Sequence, residues 1–194
     1  MSQVVDPLWV SLRNGDLSSF ELVFNEYYAS LFNYGCRLNK DSEEVKDCIQ
    51  ILFLQIWERK EHLGDSDNIR NYLFASLRRL IIKRIQSEKN IFVALDQENV
   101  AFYTDLSIEA KLIEHEANKE EIQALHLALE KLPARQREAL FLRFFHNHSF
   151  PDIAEIMNIS TRAVYKLIYK SLELLNRELL PKPKSVSYLL SLLF

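Results

Sequence analysis

Basic and aromatic side chains alternate along residues 160–170, in the last fifth of the chain. Arginine and lysine neutralise phosphates, and tyrosine rings offer apolar surface to the edges of bases. The polar and aromatic positions of this segment are Ser160, Arg162, Tyr165, Lys166, Tyr169 and Lys170. At helical spacing they share an outward face that suits the major groove of DNA. An ordinary helical hairpin with a solvated basic face has the same pattern, so that alternative stays open.

A second basic segment lies in the first half of the chain. Its cationic residues are Arg70, Arg78, Arg79, Lys83, Arg84 and Lys89, with Glu88 as the single acid near its end. Such a density of positive charge favours contact with several phosphates. Tyr72 and Phe74 could stack on exposed bases, and the alternative for both is core packing, which we favour for Phe74.

No arrangement of residues indicates catalysis. His146 and His148 could be metal ligands, but no third ligand lies at metal-binding spacing from them. Cys36 and Cys48 do not form a CxxC pair. The sequence contains no phosphate loop, nucleophile elbow or HExxH pattern. We therefore expect no catalytic residue, no metal and no cofactor, and we expect the two cysteines to act as small apolar residues with reduced thiols.

The composition predicts an all-α fold. Only three glycines and five prolines occur among 194 residues, which is too few for a protein built from many tight turns. A hydrophobic fraction of 48% provides enough apolar surface for a core. The net charge of −3 does not exclude nucleic acid, because binding depends on the local charge of a surface. No apolar run reaches the roughly 18–20 residues of a membrane span, so we expect none. The N-terminus does not resemble a charged region followed by an apolar one, and the cysteines form no CxxC pair, so we expect a cytoplasmic protein.

Capping signals and apolar stripes predict the helices of the first half. Ser18 and Glu21 have capping-box spacing before a stripe that predicts a helix over 19–38. Asp41 and Glu44 repeat the signal before a second helix over about 42–60. A third apolar pattern runs to about residue 87. These helices predict a three- or four-helix bundle over residues 10–87.

The second half predicts a helix-turn-helix. After a weakly patterned stretch from Ser87 to Ser107, an acidic helix begins near residue 108 and ends before Pro133. Ser149 and Asp152 have capping-box spacing, Asn158 suits a left-handed turn, and Ser160 can cap the last helix. The predicted divisions are a linker over 88–116, a second module over 117–180, and a hydrophobic tail of unknown role over 181–194.

Two separated sets of motifs resemble the sigma factors of bacterial RNA polymerase. The run LPARQREAL over 132–140, followed by DIAEI over 152–156, resembles region four of that family. The run DCIQILFLQIW over 47–57 resembles the polymerase-binding helix of region two, and YLFA over 72–75 resembles the start of its promoter-melting helix. Motifs of the other sigma regions are lacking. In this the sequence resembles the extracytoplasmic-function group, which has regions two and four only.

The resemblance implies a promoter-recognition subunit that is not an enzyme, with three partners: core RNA polymerase, promoter DNA and an anti-sigma factor. It assigns upstream-promoter DNA to Ser160, Arg162, Tyr165, Lys166, Tyr169 and Lys170. It assigns downstream-promoter DNA to Asn68, Arg70, Tyr72, Arg78, Arg79, Lys83 and Arg84. It assigns polymerase binding to Asp47, Gln50, Ile51, Phe53, Leu54 and Trp57.

Three residues depart from the family pattern. Arg79 stands where the group often has asparagine, Lys83 where it often has aspartate, and Ala163 where threonine is common. The alternative function is a stand-alone helix-turn-helix regulator that binds duplex DNA without polymerase. A helical enzyme is disfavoured because no catalytic arrangement is present, and a pure protein adaptor would not need two separated basic faces.

Overall fold

The computed structural model describes residues 6–64, 68–88, 100–104 and 119–179, and all regular structure among them is helical. The helices are α1 (Pro7–Arg13), α2 (Leu17–Leu38), α3 (Ser42–Glu58), α4 (Ile69–Glu88), α5 (Lys119–Glu130), α6 (Ala134–Phe144), α7 (Phe150–Met157) and α8 (Thr161–Leu179), with a 3₁₀ turn at Lys60–His62. The chain divides into two compact units, residues 1–96 with the short stretch 155–158, and residues 97–154 with 159–194. We call α1–α4 the first module, and residues 100–104 with α5–α8 the second module. The predicted all-α fold of two helical modules is confirmed for the described residues.

The starts of α2 and α3 are fixed by aspartate caps. The Asp41 carboxylate accepts hydrogen bonds from the backbone N–H groups of Glu43 and Glu44 at 3.0 and 3.3 Å, as predicted. The predicted cap at Ser18 is wrong, because α2 begins earlier and Asp16 caps it by accepting from the Ser19 backbone N–H at 2.9 Å. The Ser19 hydroxyl donates to the same carboxylate. A charged carboxylate accepts more strongly than a serine hydroxyl, which favours the earlier start.

Helix α1 was not predicted. Asp6 caps it by accepting from the Leu8 N–H at 2.9 Å, and Pro7 occupies the first turn, where a missing N–H costs nothing. Trp9 is fully buried and its indole N–H donates to the Gly64 carbonyl at 3.0 Å. The Asp-Pro pair before two apolar residues was the available signal.

Helices α2, α3 and α4 pack against one another and form the core of the first module. The buried apolar side chains include Val23, Leu31, Tyr34, Val45, Ile49, Leu52, Leu73, Phe74, Leu77 and Ile81. Gly35 allows the close approach of α2 to its neighbours, since a Cβ atom there would lie 2.6 Å from Val45 Cγ1 and 3.2 Å from Ile81 Cδ1.

In the second module, α8 packs against α5 and α6, and the segment 100–104 is part of the same unit. Phe102 is buried, with its ring centroid 5.5 Å from that of Phe141. The Arg137 guanidinium donates to the carbonyls of Phe102, Glu130 and Leu132 at 2.9, 3.1 and 2.7 Å. One cation therefore joins segment 100–104 to the turn between α5 and α6.

Several predicted features lie outside the described residues. These are the predicted linker apart from 100–104 and the end of α4, the first part of the acidic helix, Lys89, and the tail over 181–194. The predicted module boundaries remain a prediction. None of the described helices combines the length and apolar character needed to cross a bilayer.

Candidate nucleic-acid and polymerase interfaces

The connection between α7 and α8 has the geometry of a helix-turn-helix. Ser149 and Asp152 form the predicted reciprocal cap, with the Ser149 N–H donating to Asp152 Oδ2 at 3.0 Å and the Asp152 N–H to Ser149 Oγ at 3.3 Å. Asn158 has a φ of 52°, the left-handed conformation predicted for it. Ser160 Oγ accepts from the Ala163 N–H at 3.2 Å and caps α8, as predicted.

Helix α8 has one buried face and one exposed face. The buried side chains are Val164, Ile168, Ser171, Leu175 and Leu179. The exposed positions of its first three turns are Arg162, Tyr165, Lys166, Tyr169 and Lys170, which are five of the six residues predicted to contact upstream DNA. The sixth, Ser160, is exposed before the helix and serves as its cap. The N-terminal half of α8 therefore presents a continuous basic and aromatic surface.

The aromatic part of this surface extends beyond α8. The ring of Phe150, in the first turn of α7, lies 4.4 Å from that of Tyr165 at an interplanar angle of 85°. The Arg143 guanidinium of α6 lies 5.4 Å from the Phe150 ring centroid. Sequence analysis missed Phe150 and Arg143 because their link to Tyr165 is a contact between helices.

Some of the residues predicted to contact downstream DNA are exposed, and others are buried or bonded within the first module. Arg79 and Lys83 are exposed, whereas Arg78 is only 2% exposed. Arg84 is exposed and forms a bidentate ion pair with Glu44 of α3 at 2.7 and 3.1 Å.

The residues at the start of α4 also divide in this way. Asn68 Oδ1 accepts from the Asn71 N–H at 2.9 Å and caps α4. Tyr72 is half-buried beside Trp9, with ring centroids 5.1 Å apart. Phe74 is fully buried, which confirms the core packing that sequence analysis favoured for it. The Arg70 guanidinium lies 5.8 Å from the Phe74 ring centroid.

A shallow pocket of about 200 Å³ lies between α3, the 3₁₀ turn and α4. Its lining residues are Leu52, Gln55, Ile56, Arg59, Leu63, Tyr72, Ser76, Arg79 and Leu80. Arg79 is held at the pocket by hydrogen bonds from Nε to the Ala75 carbonyl at 3.2 Å and from Nη2 to Ser76 Oγ at 3.1 Å. The pocket therefore combines an aromatic ring, a hydroxyl and two guanidinium groups, which are groups that bind bases and phosphates.

The outer face of α3 mixes polar and apolar side chains. Asp47, Gln50, Ile51 and Leu54 are exposed at helical spacing, and Leu54 leaves 55% of its surface in solvent. Trp57 is half-buried, with Lys60 Nζ 4.7 Å from its ring centroid. Phe53 is only 3% exposed and packs against Phe20 and Phe24 of α2. Five of the six residues predicted to bind polymerase thus reach the surface of this helix, and Phe53 lies beneath it.

Comparison with family models decides the family of this chain. The model of sigma-70 region 2 matches residues 23–91, and the model of sigma-70 region 4 matches residues 122–175. Together they cover more than half of the chain, in the order expected from the motifs. The chain belongs to the sigma-70 family.

The relatives of this chain indicate that it is a sigma-70 factor of the extracytoplasmic-function group. The RNA polymerase sigma factor SigV of Bacillus subtilis is 25% identical over 79% of this chain and 84% of its own length. The RNA polymerase sigma-H factor of Pseudomonas aeruginosa is 26% identical over 88% and 91%. The extracytoplasmic-function sigma factor SigW of Bacillus subtilis is 21% identical over 87% and 92%. The chain is therefore a promoter-recognition subunit of RNA polymerase and not a stand-alone regulator.

Two solved structures share the sigma fold. The sigma factor RpoE of Bartonella quintana, solved with the anti-sigma factor NepR, has a TM-score of 0.56 and 19% identity over 84% of this chain and 98% of its own. CnrH, solved with the cytosolic domain of CnrY, has a TM-score of 0.58 and 18% identity over 90% and 96%. At these identities the likeness shows the fold alone.

Proposed function

We propose that the exposed face of α8 reads the upstream promoter element. The observation that carries this proposal is the placement of Arg162, Tyr165, Lys166 and Tyr169 on one solvent-facing surface behind the Ser160 cap. The N-terminal residues of the second helix of a helix-turn-helix contact base edges in the major groove. Arg162 is one residue inside α8 and can donate two hydrogen bonds to guanine. Lys170 lies further along the helix and contacts phosphate.

For the downstream element, we propose that α4 and the adjoining pocket bind and help to melt DNA. Tyr72, Arg79 and Lys83 form this proposed surface, because they are at least partly exposed and share one face of α4. Arg70, partly exposed in the first turn of α4, is a further cation that we propose contacts the backbone. Cationic groups hold the backbone while Tyr72 offers a ring to an unstacked base. Asn68 supports this surface by capping α4, and Arg84 supports it through its ion pair with Glu44 of α3. Arg78 is buried, and we leave it outside the surface.

The outer face of α3 is the proposed contact with core RNA polymerase. Leu54 and Ile51 are large apolar side chains in solvent, bordered by Asp47 and Gln50, a pattern suited to packing against a partner helix or groove. Trp57 contributes the edge of its ring. Phe53 is too deeply buried to touch a partner, and it supports the helix from below.

We infer that this sigma factor performs no chemistry of its own and acts in the cytoplasm, where core RNA polymerase works. An anti-sigma factor is a further proposed partner. Its support is the likeness to the Bartonella quintana protein, which was solved bound to an anti-sigma factor. Such a partner would act by covering the surfaces that polymerase or DNA requires.

The decisive experiment is transcription in vitro with purified core polymerase on a library of genomic fragments. We expect transcripts only when core enzyme and this chain are both present, and their start sites define the promoter. A chain that shifts those duplex fragments alone and gives no transcript with core enzyme would contradict the proposal.

A variant pair tests the polymerase surface separately. Asp47→Lys with Gln50→Ala should weaken capture of core enzyme in a pull-down while helical content by circular dichroism stays unchanged. Glu173→Lys is the matched control, because it makes the same charge change at an exposed position of α8. If the Asp47→Lys, Gln50→Ala double variant captures as much core enzyme as the Glu173→Lys control, α3 is not part of the interface.

A further inference from the structure

Two tyrosine rings stand in solvent on the proposed DNA-reading face of α8. Tyr165 is 45% exposed and Tyr169 is 64% exposed. Their ring centroids lie 6.2 Å apart and the ring planes differ by only 14°, so the two rings form one nearly parallel wall. The buried face of α8 is formed by other side chains. Large aromatic side chains left together in solvent mark a surface that binds something apolar.

The wall is held in place before any ligand arrives. The edge-to-face contact with Phe150 restrains the Tyr165 ring, and the Arg143 guanidinium in turn lies over the Phe150 ring. The row Arg143, Phe150, Tyr165 and Tyr169 thus crosses α6, α7 and α8. A side chain that is already ordered loses less conformational entropy on binding. Phe150 is therefore suited to positioning the Tyr165 ring.

The chemistry of the major groove limits what this wall can read. Guanine, adenine and cytosine present hydrogen-bonding groups there, and thymine adds a C5-methyl group, the one apolar group among the four base edges. We propose that Tyr165 and Tyr169 contact thymine C5-methyl groups in the upstream promoter element, with Phe150 as a positioning residue. This inference rests on the proposed function of α8 as the reader of that element.

The ring spacing limits the distance between those thymines. Successive base pairs are separated by about 3.4 Å along the duplex, so 6.2 Å corresponds to about two base steps. We expect the two methyl groups to lie within about two steps of each other. Arg162 and Lys166, exposed beside the tyrosines, would contact hydrogen-bonding edges and phosphates over the same stretch.

The test uses full-length protein with core polymerase on its own promoter. Each thymine of the upstream element is replaced in turn by deoxyuridine, which removes the C5-methyl group and leaves base pairing unchanged. Loss of one buried methyl contact should weaken promoter binding about threefold to fivefold at one or two positions. Tyr169→Ala should bind more weakly and lose this sensitivity, whereas Tyr169→Phe should keep it because the ring remains. Tyr103→Ala is the control, since Tyr103 is an exposed tyrosine outside α8.

The positioning role of Phe150 is tested with a measurement that a purely structural role would not change, the difference in binding between thymine and deoxyuridine templates. Phe150→Leu should reduce the difference between thymine and deoxyuridine templates, and Phe150→Tyr should restore it. Equal binding of the wild-type holoenzyme to both templates at every position, or an upstream element without thymine on either strand, overturns the proposal. If Arg162→Ala still alters the upstream preference in that case, the function of α8 stands and only the methyl contact fails. If the holoenzyme ignores the upstream sequence altogether, both fail.

Discussion

Replacing Gly35 by alanine should destabilise the first module although alanine is the better helix former. The gain in helix propensity is about 1 kcal/mol, whereas overpacking a well-packed core costs about 1–3 kcal/mol. The new Cβ atom would lie 2.6 Å from Val45 Cγ1, closer than such atoms approach. Val45 is fully buried and β-branched, so its side chain cannot rotate freely out of the way. The difference between the two terms is a net loss of up to about 2 kcal/mol in the free energy of unfolding, and the 2.6 Å contact places the expected loss toward that upper end.

Tryptophan fluorescence during urea denaturation measures this loss for the first module by itself. The chain has two tryptophans, Trp9 in α1 and Trp57 in α3, and both belong to that module. Gly64→Ala is the matched control, because no atom lies within 4 Å of a Cβ atom at that position. Its unfolding midpoint should stay close to that of the wild type.

A double variant shows whether the clash with Val45 is the cause. Val45→Ala removes the atom that the new Cβ would meet, so adding Gly35→Ala to it should cost less than Gly35→Ala alone. The two changes should couple by about 1 kcal/mol or more. If Gly35→Ala proves as stable as the wild type, or if the two effects simply add, the packing argument is refuted.

Three further predictions concern other parts of the chain. Arg137→Lys should speed hydrogen exchange in segment 100–104, measured by mass spectrometry, because the single ammonium nitrogen of lysine cannot reach the three carbonyls that the separate nitrogens of the guanidinium reach; unchanged exchange would remove Arg137 as the link. The Ser19 hydrogen bonds lower the pKa of Asp16 below its ordinary value of 3.8, so this cap stabilises the fold above that value and its contribution is lost as the pH falls through the lower folded pKa. The melting temperature of Asp16→Asn should therefore depend less on pH below about 5 than that of the wild type, and parallel curves would contradict this sign. Arg162→Ala should change which upstream sequences are transcribed from a promoter library, whereas Lys170→Ala should weaken all of them alike and reduce the salt slope by about 1; an unchanged preference and strength for Arg162→Ala would refute its role in reading bases.

The features that could be predicted from the sequence are those that depend on a few neighbouring residues. Asp41, Asn158 and Ser160 act within three or four positions of themselves, so their spacing was enough to predict two helix starts and a left-handed turn. Apolar periodicity likewise predicted which face of α8 is exposed, because a helix has a fixed 3.6-residue repeat. The family motifs were also readable, since each is a continuous run.

Contacts between helices could not be predicted in this way. Phe53 and Arg78 belong to segments that sequence analysis assigned to binding, but packing with residues distant in sequence decides that both are buried. The docking of Phe102 under Arg137 spans 35 positions, and the Arg84–Glu44 ion pair spans 40. Sequence alone thus determined most of the helices, the outward face of α8 and the resemblance to the family. Only the tertiary structure decided which residues on those helices stay available to DNA and polymerase, because burial depends on which neighbours the fold brings into contact.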